Sequence, residues 1–303
     1  MKRNKIIIGS RGSKLAIVYA EKVKNELEKK CSKEIEIKKI LTIGDENQKD
    51  RLSNIGGKGL FSKKIEQELL SNKIDIAVHA LKDLPTIETE GLITNYFLKR
   101  NSPNEILISK KNIKFEDLKL GSIVGTSSYR REYQLKKKRL DLNYKLIRGN
   151  IDTRIRKLEN DEYDAILLSK AGIDALNLSA IITQQFSIDE LIPCAGQGII
   201  SAQCRNKDEE IKDLLEKIND KNTRQIANAE REVLKILEGS CDTAIGVHAK
   251  INENFIRLSA ELFSVDGNKR YFIQEQKEKN SIMELSQSIG ERLKLQSKGS
   301  YKR

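Results

Sequence analysis

Lys5-Ile6-Ile7-Ile8-Gly9-Ser10-Arg11-Gly12-Ser13-Lys14-Leu15 is the stretch whose reading decides the fold. Lys5–Ile8 is a short apolar run of the kind a buried strand shows. Small residues and Arg11 end it, and a helical spacing takes over. Leu15, Val18, Val23 and Leu27 mark a helix over Ser13–Lys29. Outward from there the alternation repeats. Ile35–Leu41 reads as a second strand, Leu60–Leu70 as a helix, and Asp75–His79 as a strand apolar enough for a sheet covered on both faces. This β-α-β-α-β order predicts an α/β unit with a mostly parallel sheet.

Lys99-Arg100-Asn101-Ser102-Pro103-Asn104 interrupts the pattern as a polar, proline-containing linker. The alternation then restarts. Strands are expected at Glu105–Ser109, Ser122–Thr126, Tyr144–Ile147 and Asp164–Leu168, and helices at Tyr129–Arg139 and Ile151–Glu159. The Gly-rich apolar stretch from Ile192 to Cys204 suits a crossing back to the first unit. Helices follow at Asp208–Ile218 and Thr223–Leu237. The character then changes to successive strands, Thr243–Lys250, Phe255–Phe263 and Tyr271–Gln276, with a last helix near Ile282–Leu295. Strands followed by a helix suggest a small α+β domain.

The composition narrows the class. At 303 residues, two or three domains are expected. With 38% hydrophobic residues the chain can build cores, so disorder throughout is excluded. The net charge of +12 suggests an anionic partner without saying which kind. Cys31, Cys194, Cys204 and Cys241 form no C-x-x-C pair, so no zinc site, and no metal, is expected. The apolar run behind the basic start is too short for a signal peptide, and no run of 18 apolar residues occurs. A cytoplasmic protein with reduced thiols is the expectation.

Three strand-to-helix junctions share one chemistry. They are Gly9-Ser10-Arg11-Gly12-Ser13, Gly125-Thr126-Ser127-Ser128-Tyr129-Arg130-Arg131, and Arg148-Gly149-Asn150-Ile151-Asp152-Thr153-Arg154. A helix start offers free N–H groups, small residues let an anion approach, and arginine adds a two-pronged clamp. Ordinary N-capping explains any one of them. Three together favour a cleft for a polyanionic small molecule, and none has P-loop spacing. The basic stretch Tyr129–Lys157 lacks a nucleic-acid motif. Lys82 and Asp83 follow an apolar strand, where α/β folds place ligands, and Asp83 suits acid–base or electrostatic work. A surface ion pair is the bland alternative. His79 reads as structural. Gly56-Gly57-Lys58-Gly59-Leu60-Phe61 is either a flap over a ligand or a tight turn. Cys241, on a loop between helix and strand, is either an attachment point or an inert thiol.

Taken in order and spacing, these segments resemble the porphobilinogen deaminase (hydroxymethylbilane synthase) family. The matching pieces include Ser10-Arg11-Gly12-Ser13, the Gly56–Phe61 loop, Ala77–Pro85, Val124–Arg131, Leu146–Asn150, Gly196-Gln197-Gly198 and Leu237–Cys241. The resemblance implies an α/β fold of two periplasmic-binding-protein-like domains plus a small C-terminal α+β domain. It places them at 1–99 with 198–219, at 104–193 and at 222–303, with the active site between the first two. It implies a transferase of tetrapyrrole (heme) biosynthesis that joins four porphobilinogen molecules head to tail. Ammonia is released at each step, and hydrolysis frees hydroxymethylbilane. The implied cofactor is a dipyrromethane held by a thioether to Cys241.

By the same resemblance Asp83 is catalytic. Lys82, Asp83, Thr126, Ser127, Ser128, Arg130, Arg131, Arg148 and Gly149 hold the cofactor. Arg11, Ser13, Arg148, Arg154 and Gln197 bind substrate, and Lys58 and Phe61 belong to the flap. A soluble monomer without nucleic-acid or membrane partner is implied. Ala80 stands where many members have serine, and Lys170 where an apolar residue is common, a change that would add an anion contact. Two other readings compete: a non-enzymatic anion- or effector-binding protein of the periplasmic-binding-protein type, and a nucleic-acid-binding protein. The first needs neither Asp83 nor Cys241, and the second requires steeply salt-dependent binding.

Overall fold

The computed structural model describes residues 3–42, 59, 62–239 and 242–302. Among these, the chain builds two mixed five-stranded α/β sheets and a C-terminal three-stranded antiparallel sheet backed by helices.

The first lobe begins with β1 (Lys5–Arg11), α1 (Lys14–Glu28), β2 (Glu34–Ile40), α2 (Lys63–Leu70), β3 (Ile76–Ala80) and β4 (Leu92–Phe97). Ser13 caps α1, accepting from the Ala16 N–H. The helix buries Tyr19, Ala20, Val23 and Leu27; Val23 and Leu27 belong to the expected stripe, whereas Leu15 and Val18 are only half-buried. The second lobe holds β5 (Glu105–Ser109), β6 (Ile123–Gly125), α3 (Tyr129–Lys136), β7 (Asn143–Lys145), α4 (Ile151–Glu159), β8 (Ala165–Ser169), α5 (Lys170–Ala175) and β9 (Gln184–Gln185). The chain then returns as β10 (Ile200–Arg205), followed by α6 (Glu209–Glu216) and α7 (Lys221–Ile236).

The sheets are mixed rather than mostly parallel. Their orders are β2-β1-β3-β10-β4 and β7-β6-β8-β5-β9. In each, the three strands of the β-α-β-α-β run are parallel, and the fourth strand is antiparallel to both its neighbours. That fourth strand is the one arriving from the other lobe, β10 in the first and β5 in the second. β4, β9, β10 and α5 have no counterpart among the sequence expectations.

Two crossovers therefore join the lobes side by side, and they are bonded to each other. The Asn101 N–H donates to the Gly198 carbonyl at 2.8 Å, and the Gln197 amide donates to the Pro103 carbonyl at 2.7 Å. Gly198 has φ +80°, and a Cβ there would stand 2.7 Å from the Asn101 carbonyl oxygen, so only glycine fits this contact.

The third unit consists of β11 (Ile245–Asn252), β12 (Phe255–Phe263), β13 (Arg270–Glu278) and α8 (Ile282–Ser297), with α7 packed alongside. Leu258, Ala260 and Leu262 of β12 pack with Leu285, Ile289 and Leu293 of α8. It docks on the crossovers through Glu230 of α7, which is fully buried. One carboxylate there takes the Arg100 guanidinium at 2.5 Å, the Gly196 N–H at 2.7 Å and the Ala249 N–H at 2.8 Å. A buried charge satisfied from three elements fixes their relative positions.

Candidate active site

The parallel strands of both lobes point their carboxyl ends at one cleft, the place such sheets reserve for ligands. Its volume is about 420 Å³. β1 delivers Arg11, and the cap of α1 delivers Ser13. β3 runs into a single 3-10 turn, Leu81–Asp83, that turns Lys82 and Asp83 into the cleft. From the second lobe come Ser127, Ser128, Arg130 and Arg131 around the start of α3, and Arg148, Gly149 and Arg154 around the start of α4. Gln197 enters from the second crossover. Twelve of the residues singled out in the sequence thus line one cavity.

Thr126 does not line it. It is buried, and its hydroxyl accepts from the Ser128 N–H at 3.2 Å, shaping the turn. Lys58, Phe61 and Cys241 lie outside the described residues, as does the flap loop apart from Gly59. Gly239 and Thr243, on either side of Cys241 in sequence, both line the cleft. Lys170 does not reach it and instead holds both oxygens of Asp174 at 2.7 Å. Lys14, Asn150, Ser169 and Cys194 line the cleft without having been singled out as candidates there. Their positions beside strand ends and in the crossover were the available signal.

The electrostatics differ from side to side. Glu105 of β5 is fully buried under the second lobe's rim and binds Arg130 at 2.6 Å and Arg131 at 2.7 Å. Burial alone would push its pKa up. The Arg131 and Arg130 guanidinium groups outweigh that and hold it down at about 2. Arg130 also donates to the Ile192 carbonyl at 2.9 Å, and Arg131 to the Leu167 carbonyl at 3.0 Å. One carboxylate thus serves two cations, leaving one positive charge in excess. Arg154 and Arg148 add two more. Arg154 donates to the Gly149 carbonyl at 2.8 Å, and burial with the nearby Arg131 and Arg148 lowers its pKa to about 10. Burial lowers that of Arg148 as well. The Nε atoms of Arg131 and Arg148 are buried without hydrogen-bond partners. Crowded, partly desolvated guanidinium groups with unused donors are what an anion site looks like before its anion arrives.

Two carboxylates line the cleft. Asp152 is half-buried and faces Lys14 across the lobes at 3.5 Å. Asp83 is half-buried among Arg11, Lys82 and Arg154, and Lys82 also reaches Gln197 at 3.5 Å. Behind Asp83, His79 is buried, and burial together with the Arg11 charge lowers its pKa to about 4, so it is neutral at ordinary pH. Among the described residues no cluster of His, Cys, Asp and Glu could hold a metal ion, and no helix is long and apolar enough to cross a membrane.

Comparison with known proteins places the chain by its sequence. Residues 6–213 match the family described as porphobilinogen deaminase, dipyromethane cofactor binding domain, and residues 225–295 match porphobilinogen deaminase, C-terminal domain. The porphobilinogen deaminase of Geobacillus kaustophilus is 42% identical over 268 residues, covering 88% of this chain and 87% of the relative. That of Staphylococcus carnosus is 40% identical over 295 residues, covering 96% and 95%. Among solved structures, the periplasmic VFT2 domain of Bordetella pertussis BvgS aligns with 75% of this chain and 90% of its own at a TM-score of 0.44 and 13% identity. Both family segments are present in order, and the relatives match along nearly their whole length, so the chain belongs to the porphobilinogen deaminase family.

Proposed function

We propose that the cleft between the lobes is where porphobilinogen is bound, deaminated and condensed, with Asp83 as the catalytic carboxylate. The activity is that of the family, a transferase reaction on porphobilinogen. The observation that carries the residue assignment is the placement of the Asp83 carboxylate, at the carboxyl end of β3, in a cleft lined by guanidinium groups.

The substrate's pyrrole carries an acetate and a propionate. Arg11 and Ser13 from the first lobe, and Arg148 and Arg154 from the second, are suited to hold them, with Gln197 fixing the floor. Bidentate guanidinium contacts orient a carboxylate as well as attract it. Once the substrate is fixed, its aminomethyl nitrogen departs as ammonia and leaves a cationic methylene-pyrrole. Asp83 stabilises that cation and accepts the proton lost when the new ring regains aromaticity. Such a carboxylate acts best where water is scarce, and the half-burial of Asp83 supplies that.

The residues also suit a dipyrromethane. Its carboxylates would meet Lys82, Ser127, Ser128, Arg130, Arg131, Arg148 and Gly149, with Thr126 shaping the turn beneath. The unpartnered Nε atoms of Arg131 and Arg148 are donors waiting for such groups. Attachment would be through the Cys241 sulfur. When bound, the group supplies the pyrrole carbon on which condensation starts. Lys58 and Phe61 are assigned to a covering flap.

The same reading takes 1–99 with 198–219, 104–193 and 222–303 as the three domains, and the protein as a cytoplasmic monomer. A thioether anchor needs a reduced thiol, and Cys31, Cys194 and Cys204 are free. The test is the intact mass of the purified protein beside a Cys241→Ser control. An excess of two linked pyrrole units, absent from the control, is the expected result. A wild-type protein that gains no pyrrole adduct even after incubation with porphobilinogen sinks the reading and favours a non-enzymatic anion-binding protein.

A further inference from the structure

A second, smaller cavity of about 50 Å³ lies behind the cleft on the first-lobe side. Arg11, Ser13, Leu15 and Asp83 border both spaces, so the two adjoin along these residues. The remaining polar wall is made by Tyr19 of α1, Ser62 before α2, and His79 of β3. His79 and Ser62 are almost wholly buried, and the Nε2 of one and the Oγ of the other have no hydrogen-bond partner. The Tyr19 hydroxyl makes no hydrogen bond among the described residues either. Buried polar atoms are rarely left so, and two around one void, with the Tyr19 phenol on the same wall, call for a small polar occupant.

The three groups are also uncharged. Burial, and after it the Asp83 charge, raises the Tyr19 phenol to about 12. His79 is kept neutral by burial and by Arg11, against the side chain of Gln203, which favours the protonated ring. Arg11 and Asp83 bring opposite charges to the wall, so neither a cation nor an anion is favoured over a neutral molecule. The space is too small for a pyrrole ring and suits one molecule of the size of water or ammonia.

We propose that this niche receives the ammonia that leaves the substrate, a reading that rests on the deaminase function assigned above. The aminomethyl group reacts as an ammonium. Its carbon–nitrogen bond breaks, both electrons go to nitrogen, and neutral ammonia departs while the positive charge stays on the methylene-pyrrole beside Asp83. Ammonia has three N–H donors and one lone pair. The Asp83 carboxylate, the Ser62 hydroxyl and the His79 Nε2 offer partners for the donors, and the Tyr19 hydroxyl donates to the lone pair. Removing ammonia to the far side of Asp83 clears the cleft for the incoming pyrrole carbon.

The test is turnover of porphobilinogen by the holoenzyme in rising ammonium chloride, with potassium chloride keeping ionic strength constant, at two pH values. Tyr19→Phe and Ser62→Ala each remove one oxygen and keep the side chain's shape. Inhibition by wild type should follow free ammonia rather than total ammonium. The half-inhibiting concentration should rise about fivefold in each variant, the loss of one neutral hydrogen bond. Methylammonium chloride, a methyl group too large, should inhibit far less. An unchanged half-inhibiting concentration in both variants overturns the proposal. So does methylamine that inhibits equally, or ammonia no more inhibitory than potassium chloride, which would mean a water site only. If wild type with its cofactor attached turns over no porphobilinogen, it is the deaminase reading that fails.

Discussion

The two lobes have the same strand order and open onto the same cleft, yet they bring opposite chemistry to it. At the end of β3 the first lobe turns Lys82 and Asp83 inward. At the topologically equivalent end of β8 the second lobe presents Ser169, while Lys170 turns to Asp174. At the starts of α3 and α4 the second lobe adds four arginines, and among the described residues the first lobe brings Arg11 alone beside α1. The difference continues underneath. The buried carboxylate under the second lobe's rim is Glu105, which binds Arg130 and Arg131. Behind the first lobe's rim is neutral His79. One architecture thus provides a reacting face and a holding face, and the distinction is set by a few side chains at strand ends.

That contrast breaks most sharply at Asp83. Asp83→Asn should lower turnover by roughly 10²–10⁴-fold, the span of lost acid–base assistance, while the fold is kept. Asp152→Asn, on the second lobe's side of the same cleft, should leave turnover within a few fold. Rates of the two variants under identical loading decide it, and equal losses would mean that the carboxylate's lobe is irrelevant.

On the holding face the largest effect should be on stability. Glu105→Gln leaves Arg130 and Arg131 buried with no counter-charge. Removing one partner of a buried ion pair costs roughly 3–5 kcal/mol. Urea unfolding should show a loss of that order. A loss below about 1 kcal/mol would mean that the two arginines find other partners, and that Glu105 is not what positions them.

The sequence made one part of this contrast readable and hid another. Lys5–Ile8, Glu105–Ser109 and Phe255–Phe263 announced themselves as strands because a local run of apolar residues is enough to mark one. Leu92–Phe97 and Ile200–Arg205 did not, and the partner of a strand is set by pairing across long sequence distances that periodicity does not encode. The arginine junctions were legible because a strand end, a small residue and a helix cap lie consecutively in the chain. Glu105 was not, since its partners Arg130 and Arg131 are 25 and 26 positions away and only folding joins them. Thr126 shows the converse. It fits the anion-site pattern, yet it is buried beneath the cleft and its hydroxyl accepts from the Ser128 N–H. Tyr19 was passed over because the leucine and valine marks defined the stripe, while the first turns of the helix bury Tyr19 and Ala20 in place of Leu15 and Val18.

The smallest expected effect separates the lobes by pH. His79 is depressed from 6.5 to about 4 in the folded chain, so below pH 6.5 the unfolded chain binds a proton that the folded one refuses. Its contribution is complete above 6.5 and is lost as pH falls toward 4, amounting to roughly 2 kcal/mol by pH 5. His248 of the third unit is depressed to about 3, mainly by burial, and acts in the same direction. Glu105 responds later. Its folded value of about 2 lies below the ordinary 4.5, so its stabilisation holds above 4.5 and fades between 4.5 and 2. Urea unfolding of wild type should therefore weaken between pH 7 and pH 5, before Glu105 is touched. His79→Gln should remove about half of that dependence and leave His248 to account for the rest, whereas Glu105→Gln should leave it unaltered. If His79→Gln keeps the full slope, the imidazole behind Asp83 is not held neutral, and the two lobes differ less than their buried groups indicate.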